Sequence, residues 1–416
     1  MKELYSKYLE CPQICTDTRR IVPDSIFVCL KGEHFDGNAF ALTALEQGAA
    51  YVITENQELR DYKRCIVVED ALKTLQDLAR YHRQQLRIPI VGVTGTNGKT
   101  TTKELINTVL SLKYRTTCTQ GNLNNHIGVP LTILSIKPTD EMAIVEMGAN
   151  HPGEIEFLCG ISQPTCGIIT NVGKAHLEGF GSFENIVYTK KALYRAVIQN
   201  DGTLFVNEND EVLRQNLNYS KVVLYAQGGD ENVLSMSPFL RIKVLEQAID
   251  THLTGAYNVY NFLAAAAVGH FFGVDDATIA RGLAAYEPTN HRSQVNVVRG
   301  NTIISDYYNA NPTSMEAAVR NLSKLTAAKK MAILGDMLEL GSVSSEEHLK
   351  MINLCKELNI NAIFVGSEFG KHHPQNWFPD VLSLNAALSA APIEQTMVLV
   401  KGSNGIHLDK LSSLLQ

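Results

Sequence analysis

The sequence predicts an α/β protein of three domains, each built around a mainly parallel sheet. Short apolar runs typical of buried strands recur along the 416 residues and mostly alternate with segments of helical periodicity. This pattern implies crossover helices between parallel strands. Two segments look like domain boundaries, the helix end YHRQQLR before Pro89 and the turn-like YEPTN at 286–290. We therefore expect domains at about 1–85, 86–288 and 289–416.

The expected strands are the apolar runs themselves. In chain order they are SIFVCL, AAYVIT and RCIVVED in the first domain, IPIVGVT, MAIVEMG and TCGIITNV in the second, and NTIISD, MAILGD, AIFVGS and TMVLVKGS in the third. Active sites of multi-domain α/β proteins favour the carboxyl ends of strands and the clefts between domains. Polar motifs are therefore most informative where one of these runs ends.

Composition indicates a globular cytoplasmic protein. The net charge is −6 and the chain has no basic run, so nucleic acid is not an expected partner. The longest strongly apolar stretch, 262–268, is too short to cross a bilayer, and the first ten residues lack the apolar core of a signal peptide. The eight cysteines include no CxxC pair, which favours reduced, mostly structural thiols.

The segment IVGVTGTNGKTTTKE, at 90–104, predicts a phosphate-binding loop between a strand and a helix. Glycines let backbone amides face an anion, and the helix N-terminus adds positive potential. Lys99 can reach the terminal phosphates of a nucleoside triphosphate, and the Thr100 hydroxyl can hold Mg²⁺. The motif G-x-x-x-x-G-K-[ST] fails at its first glycine because Gly92 lies one residue too early, although Gly95 can still open the loop. The competing interpretation is an ordinary glycine-rich turn.

Two further side chains follow strands of the same predicted sheet. Glu146 comes after the strand at 142–145 and is well placed to ligate Mg²⁺ directly or through water. His176 follows the strand at 166–172 and could ligate a metal or transfer protons. The alternatives are a surface glutamate in a turn and a solvated loop histidine.

Lys190 is unusual because it falls near the middle of an apolar helical stripe in the segment 184–199. A lysine at the centre of a buried face is unfavourable unless it is paired, neutralised or modified. The alternative is a side chain that extends along the stripe to reach water. Periodicity does not decide between these two.

Asn258 and Asn261 lie at the start of an Ala-rich helix. Their amides could read a base edge, but asparagine is also a common capping residue, and the pattern alone favours capping. In the third domain, the strand at 302–305 ends in Asp306 and is followed by a polar loop with Asn309 and Asn311. At the domain junction, Arg292 could swing onto a γ-phosphate.

Four longer segments resemble the Mur ligases, the ATP-dependent amide ligases of peptidoglycan precursor synthesis, and within them most closely the MurF type. The segments are GNLNNHIGVPLTIL (121–134), VEMGANHPGEIE (145–156), NVGKAHLEGFGS (171–182) and DYYNANPTSM (306–315). The resemblance covers nearly the whole chain, and sibling ligases carry a different loop at 308–312. It implies a ligase that joins D-alanyl-D-alanine to UDP-N-acetylmuramoyl-tripeptide through an acyl phosphate, with ADP and phosphate as products. It also implies a central P-loop-type ATPase domain between an N-terminal UDP-binding α/β domain and a C-terminal Rossmann-like domain. We expect a monomer.

The resemblance implies roles for individual residues around ATP and metal. The phosphates would be held by Gly95, Thr96, Asn97, Gly98, Lys99, Thr100 and Thr101. One Mg²⁺ would be ligated by Thr100 and Glu146, and a second would be served by His176 and Lys190. Lys190 would be an N-carbamate made with CO₂, which replaces a buried cation by a metal-bridging anion. The expected catalytic residues are Lys99, Glu146, His176, Lys190 and Arg292.

It implies roles around the substrates as well. Asn258 and Asn261 would contact adenine, while Arg292 and Asp306 would close on the γ-phosphate and ribose from the third domain. UDP would be bound through Thr18, Arg19 and Lys31, and the muramoyl portion through Asn122, Asn124 and Asn125. Asn309 and Asn311 would contact substrate. We predict that substrate binding closes the third domain onto the phosphate loop.

Three departures from the family pattern weaken individual assignments. Tyr257 stands where the family usually has His, Ala192 stands where it has Glu, and the segment 401–410 lacks the usual Arg after Lys-Gly-Ser. The last leaves the detail of the dipeptide site open.

Three other kinds of protein remain as alternatives: a sibling Mur ligase or folylpolyglutamate-synthase relative, a P-loop ATPase acting as switch or motor, and a degenerate binding protein that keeps only the fold.

Overall fold

The computed structural model describes residues 1–215, 217–290 and 292–415, which form three α/β domains. The N-terminal sheet is parallel, with strands in the spatial order Ile14–Cys15, Ile26–Val28, Tyr51–Thr54 and Cys65–Val67. Its α-helices are Lys2–Glu10, Ala41–Glu46 and Ala71–Gln85, and the strands Lys31–Gly32 and Phe35–Asp36 form an antiparallel ribbon.

The central sheet is also parallel and has six strands. Their spatial order is Val222–Tyr225, Thr203–Asn207, Cys166–Ile169, Ile90–Thr94, Met142–Glu146 and Thr116–Cys118. The α-helices are Lys99–Leu110, Gly128–Leu134, Glu154–Ser162, Leu177–Phe180, Phe183–Lys190, Ala192–Gln199, Glu211–Arg214, Val259–Phe271 and Asp276–Ala285. A small antiparallel sheet contains Val233–Met236, Leu240–Val244 and Gln247–Asp250.

The C-terminal sheet has six strands, in the order Gln294–Val298, Asn301–Asp306, Met397–Lys401, Lys330–Gly335, Asn361–Val365 and Trp377–Phe378. The first pair is antiparallel and the others are parallel. The α-helices are Pro312–Lys324, Ser344–Glu357, Ser367–Gly370, Val381–Ala390 and Ser412–Leu415. Short 3₁₀ helices cover Thr18–Arg20, Gly37–Phe40, Gln57–Leu59, Gly229–Asn232, Ala256–Asn258, Gly341–Val343, Asn404–Ile406 and Leu408–Lys410.

The strand Ile90–Thr94 lies inside the central sheet and is buried along its whole length. Ile90 packs into the apolar cluster on one face and Val91 into the cluster on the other. Because both faces are covered, the sequence is a continuous apolar run rather than an alternating one. The carboxyl ends of this strand and of its neighbours Met142–Glu146 and Cys166–Ile169 therefore meet at one edge, where the phosphate loop starts.

The first domain and the central domain share one apolar cluster. Polar bonds add to this contact: the Tyr8 hydroxyl donates to the Leu134 carbonyl oxygen at 2.7 Å, and Arg83 Nε donates to the Ser162 carbonyl oxygen at 2.9 Å. The third domain instead has two apolar clusters built almost entirely from its own residues. The first two domains thus form one packed unit, whereas the third has a core of its own.

His82 lies in this shared contact and is expected to make stability depend on pH. Its Nε2 lies 3.1 Å from the Ile136 carbonyl oxygen, and its Nδ1 lies 3.1 Å from the Tyr5 hydroxyl. A carbonyl can only accept, so Nε2 carries the proton and Nδ1 accepts from Tyr5. Burial lowers the pKa of His82, with the bond to Ile136 opposing that shift.

The direction of this pH dependence follows from the difference in proton binding between the folded and unfolded states. Below about pH 6.5, the ordinary pKa of histidine, the unfolded chain takes up a proton at this position that the folded chain does not, so the folded state loses relative stability as pH falls. We expect His82→Gln, whose amide can still donate to Ile136, to remove this contribution. Melting temperatures measured from about pH 7 to pH 5 should fall more steeply for the unmodified protein than for the variant. Parallel profiles would contradict the prediction.

Every strand predicted from an apolar run is present, and the α/β class with parallel sheets is confirmed. The expectation of one helical stripe over 184–199 is wrong in detail: two helices, Phe183–Lys190 and Ala192–Gln199, are separated at Lys191. The domain limits stay a prediction. Among the described residues, no helix combines the length and apolar character needed to span a membrane.

Candidate active site

A cavity of about 740 Å³ lies between the central and third domains. Its walls contain the phosphate loop, the ends of the central strands and the third-domain loop after Asp306. The predicted site residues that line it are Thr96, Asn97, Gly98, Lys99, Thr100, Thr101, Asn122, Asn124, Asn125, Glu146, His176, Asn258, Asn261, Arg292, Asp306, Asn309 and Asn311. The predicted site residues that do not line it are Gly95, Lys190, Thr18, Arg19 and Lys31.

Two glycines give the phosphate loop its shape. Gly95 and Gly98 have φ values of +145° and +78°, in the region that favours glycine. A Cβ on Gly95 would lie 2.0 Å from Thr170 Oγ1, and one on Gly98 would lie 2.6 Å from Asn261 Oδ1. Gly92 lies within the strand, so the loop opens at Gly95, as the sequence suggested despite the imperfect motif.

Lys99 begins the helix that follows the loop. Its Nζ donates to the carbonyl oxygens of Gly95 and Thr96 at 2.9 and 3.0 Å. Burial lowers the pKa of Lys99 to about 8, with Glu146 acting to raise it and Arg292 to lower it. The ammonium group is thus held at the loop, where an incoming phosphate would stabilise its charge.

Thr100 and Glu146 fit a hard divalent cation. Thr100 Oγ1 and Glu146 Oε2 are buried and have no hydrogen-bond partner in the described part of the chain. The other carboxylate oxygen, Oε1, accepts from Asn124 Nδ2 at 2.7 Å, which fixes the orientation of the group. Unpaired buried oxygens are rare unless a ligand satisfies them, and Mg²⁺ prefers one or two protein oxygens together with phosphates and water.

His176 contacts the third domain. Its Nδ1 pairs with Glu339 Oε2, and His176 adopts a φ of +50°. The adjacent His176 side chain lowers the pKa of the Glu339 carboxyl, although burial opposes it. Sequence patterns did not single out Glu339, which follows the strand Lys330–Gly335 by four residues. Glu339 follows a predicted strand in the same way as Glu146 and His176, so the same criterion identifies it as a candidate.

Lys190 is buried, with only 3% of its surface exposed, so it does not reach water along the stripe. Its Nζ lies 3.5 Å from the Ala149 carbonyl oxygen and 5.7 Å from the centroid of the Phe180 ring. Burial holds the pKa of Lys190 well below its usual range, Lys99 lowers it further, and Glu154 opposes both. Burial therefore shifts this amine towards its neutral, nucleophilic form.

The two asparagines expected at adenine line the cleft, but their amides are bonded within the protein. Asn261 Nδ2 donates to Asn258 Oδ1 at 2.8 Å, and Asn261 Oδ1 accepts from Thr102 Oγ1 at 3.0 Å. Asn258 Nδ2 donates to the Thr254 carbonyl oxygen at 2.7 Å. The Asn258 side chain makes no cap hydrogen bond at the helix start, so the capping alternative is wrong. The pair ties the phosphate-loop helix to the helix Val259–Phe271.

Arg292 is available for an anion in the cleft. Its guanidinium carbon lies 3.8 Å from the centroid of the Tyr308 ring, and its buried Nε lacks a hydrogen-bond partner among the residues that the structure describes. Asp306 Oδ2 already accepts from Lys401 Nζ at 2.7 Å. Tyr308 and Lys401 are thus positioning residues that sequence patterns did not identify.

Asn311 connects the third domain to the phosphate loop. Its Oδ1 accepts from the Ser314 backbone amide, which caps the helix Pro312–Lys324, and its Nδ2 donates to Asn97 Oδ1 at 2.8 Å. Asn309 Oδ1 accepts from the Ala310 backbone amide at 2.8 Å. In this arrangement both side chains are bonded to protein groups.

The three asparagines predicted to contact the muramoyl portion have different surroundings in the structure. Asn124 orients Glu146, as described above, and Asn125 Oδ1 accepts from the Gly128 backbone amide at 2.9 Å at the start of a helix. Asn122 is exposed in the cleft wall. Only Asn122 therefore presents a side chain that is not engaged elsewhere in the described structure.

Thr18, Arg19 and Lys31 follow strands of the N-terminal sheet at its carboxyl edge, outside the cavity. Arg19 pairs with Asp17, its Nη2 lying 2.8 Å from Oδ2. Lys31 Nζ lies 2.6 Å from Glu55 Oε2. These three residues share one edge of the first domain, as a separate binding module would require.

The chain matches three sequence models along its length. They are the Mur ligase family, catalytic domain, over residues 12–93, the Mur ligase middle domain over 93–269, and the Mur ligase, glutamate ligase domain, over 291–404. A curated relative from Bacillus subtilis, named UDP-N-acetylmuramoyl-tripeptide–D-alanyl-D-alanine ligase, is 34% identical and the alignment covers 96% of this chain and 92% of that protein. The Escherichia coli protein of the same name is 31% identical, with 100% and 96% covered.

Solved structures give the same relationship. MurF from Acinetobacter baumannii has a TM-score of 0.83 at 30% identity, covering 96% of this chain and 92% of that one. MurF ligase from Thermotoga maritima, solved in complex with ADP, has a TM-score of 0.83 at 27% identity, covering 97% and 96%.

Proposed function

The chain belongs to the Mur ligase family, whose members are ATP-dependent ligases, and we propose that it joins D-alanyl-D-alanine to UDP-N-acetylmuramoyl-tripeptide. The observation that carries this proposal is the 34% identity over 96% of the chain to a relative of that name. The unpaired oxygens of Thr100 and Glu146 beside the phosphate loop support it independently. The product would be the UDP-linked pentapeptide of peptidoglycan synthesis, formed in the cytoplasm by a monomer.

The chemistry requires activation of a poor electrophile. The terminal carboxylate of the tripeptide attacks the γ-phosphorus of ATP, which forms an acyl phosphate and releases ADP. The free amine of the dipeptide then attacks the acyl carbon, phosphate leaves with the bonding electron pair, and the amine loses a proton. Lys99 and Arg292 supply positive charge where negative charge develops on the transferring group.

Metal ions would neutralise the repulsion between the attacking carboxylate and the phosphates. The fit of Thr100 and Glu146 supports them as holders of one Mg²⁺. We assign a second ion to His176 and to Lys190 as its carbamate. A neutral buried amine can react with CO₂ with loss of one proton, and the lowered pKa of Lys190 supports that modification.

The first domain would hold the UDP portion through Thr18, Arg19 and Lys31, and Asn122 would meet the muramoyl portion. We propose that adenine binds at the helix start that contains Asn258 and Asn261. The hydrogen bonds of their amides also connect this helix to the phosphate-loop helix, so the two residues would stabilise the site as well as contact the base. Asn309 and Asn311 would approach the substrates from the third domain.

The choice of amine separates this function from that of a sibling ligase. We expect pentapeptide formation with D-alanyl-D-alanine and little product with single amino acids such as L-alanine or D-glutamate. Mass spectrometry of the nucleotide-linked product after incubation with each amine is the test. Preferential addition of a single amino acid would replace the proposal by a sibling activity.

We predict that both ligands together stabilise an arrangement in which the third domain is closed onto the phosphate loop. The third domain has its own core and meets the central domain in the cleft through polar contacts such as Asn311 with Asn97. Such a domain can move as a unit when ligands bridge the cleft. Small-angle scattering should show a smaller radius of gyration with a non-hydrolysable ATP analogue and UDP-MurNAc-tripeptide than without them. Identical scattering profiles would contradict domain closure.

A further inference from the structure

The phosphate-loop helix, Lys99–Leu110, carries a carboxylate that contacts the connection between the central and third domains (the linker, 286–293). Glu104 Oε2 accepts from the Tyr286 hydroxyl at 2.6 Å, and Asn290 Nδ2 donates to both oxygens of the same carboxylate at 3.0 Å. These partners lie 182 and 186 positions from Glu104 along the chain. The bonds therefore fasten a distant segment to the helix that begins at the phosphate loop.

The surroundings of Glu104 favour an ionised carboxylate that holds its partners firmly. Only 27% of its side-chain surface is exposed, and Lys103 Nζ lies 3.6 Å from Oε1. Tyr286 is buried, and burial together with Glu104 raises the pKa of its hydroxyl, while Arg292 acts to lower it. The phenol therefore keeps its proton and donates it in a short, charge-assisted hydrogen bond.

The linker is bonded to the central domain a second time, just after Arg292. The Ser293 hydroxyl lies 3.1 Å from the Tyr257 hydroxyl and accepts from Asn258 Nδ2 at 3.3 Å. Ser293 is buried and has a φ of +52°, which residues other than glycine rarely adopt. Its backbone amide also donates to Asp306 Oδ1 at 3.3 Å, so the third domain joins at the same residue. Arg292 thus lies between two attachments of the linker to the central domain.

Arg292 lines the cleft, and its positive charge contributes to lowering the pKa of Lys99. Its buried Nε has no hydrogen-bond partner in the part of the chain that the structure describes, and the same holds for the hydroxyl of Thr100. Thr100 lies one turn before Glu104 on the same face of the phosphate-loop helix. Unpaired buried groups of this kind indicate a ligand, and a phosphate with its Mg²⁺ would satisfy both. One helix therefore presents a candidate metal-binding hydroxyl and, one turn later, the carboxylate that holds the linker.

We propose that Glu104 is a positioning residue that fixes Arg292 for contact with the γ-phosphate of ATP by holding the linker to the phosphate-loop helix. Arg292 is then placed by the central domain itself and distinguishes ATP from ADP. The inference rests on the proposed function, because it takes Arg292 as a ligand of the γ-phosphate. If the bonds of Glu104 served only to stabilise the linker, their loss would weaken the binding of both nucleotides alike.

Isothermal titration calorimetry with Mg²⁺ and either ADP or a non-hydrolysable ATP analogue measures this effect without an activity assay. We expect the unmodified protein to bind the analogue more tightly than ADP. Glu104→Ala should reduce that preference by about 10-fold, as expected for the loss of one hydrogen bond to a charged group, because only the analogue carries the γ-phosphate. Glu104→Gln keeps one acceptor oxygen and Tyr286→Phe removes one donor, so both variants should give intermediate values. Glu211→Ala removes an exposed carboxylate on a central-domain helix outside the cleft, and this matched control should keep the full preference.

The double variant distinguishes an effect through Arg292 from a separate effect of Glu104. Arg292→Ala should reduce the preference at least as much as Glu104→Ala, and combining the two should cause no further loss. Should Glu104→Ala fail to fold, as its melting temperature would show, Tyr286→Phe replaces it in the same comparison.

Four results would overturn the proposal. They are an unmodified protein without preference for the analogue, an unchanged preference in Glu104→Ala, equal weakening of both nucleotides in that variant, and additive losses in the double variant. Failure of the proposed function would look different, as a normal preference for the analogue without pentapeptide product.

Discussion

Replacement of Lys99 by methionine is expected to lower kcat for phosphate release by about 10³-fold, because a preorganised cation at a developing negative charge contributes this much to catalysis. Lys99 is held by the carbonyl oxygens of Gly95 and Thr96 at the start of the phosphate-loop helix. Methionine keeps the apolar stem of the side chain and removes only the ammonium group. The measurement is the initial rate at saturating ATP, tripeptide and dipeptide, together with the melting temperature.

The matched control is Lys356→Met, which changes an exposed lysine on the helix Ser344–Glu357. We expect this control to keep the rate of the unmodified protein. A Lys99→Met variant that is folded and retains normal kcat would contradict the assignment of the loop to the ATP phosphates.

Replacement of Lys190 by alanine is expected to reduce kcat by at least about 100-fold, because loss of a group that holds a metal ion should cost at least as much as loss of a residue that only orients one. Lys190 is buried without a carboxylate partner in the described residues, and removal of its side chain leaves a space beside the cleft. If the native group is a carbamate, a small carboxylate such as acetate can enter that space and supply the missing anion. Added short carboxylates should therefore restore part of the activity.

The neighbouring residue provides the control. Lys191 Nζ donates to the Gln215 carbonyl oxygen and lies outside the cleft, so Lys191→Ala should keep normal activity and gain nothing from acetate. Unchanged activity in Lys190→Ala would remove this residue from the site. A loss that no short carboxylate reverses would contradict the carbamate while leaving Lys190 in the site.

The parts of the site that are continuous in sequence were predictable. The strand Ile90–Thr94, the glycine loop and the helix from Lys99 follow one another directly, so spacing and periodicity reveal them together. The place of Lys190 on an apolar helical face was also predictable, and it holds within the helix Phe183–Lys190. Periodicity did not decide whether the side chain is buried or extends to water, and the structure shows that it is buried. These features depend on residues that are close in sequence, so local sequence patterns are sufficient to predict them.

The pairs that orient the site were not predictable, because they join distant residues. Asn124 and Glu146 are 22 positions apart, and Thr102 and Asn261 are 159 apart. Asparagine has many uses, and its partner depends on how the sheets and helices pack. The antiparallel strand Gln294–Val298 was missed for a related reason: it lies at a sheet edge and is only partly buried, so it lacks a continuous apolar run.

The central claim is that ATP cleavage is coupled to formation of an amide bond between two specific substrates. The most direct test is phosphate release from ATP with UDP-MurNAc-tripeptide, with and without D-alanyl-D-alanine, combined with mass spectrometry of the nucleotide product. We predict release that depends on both substrates and a product with the mass of the UDP-MurNAc-pentapeptide. Release that is indifferent to the dipeptide, with no pentapeptide formed, would contradict the account and indicate a sibling ligase or a simple ATPase.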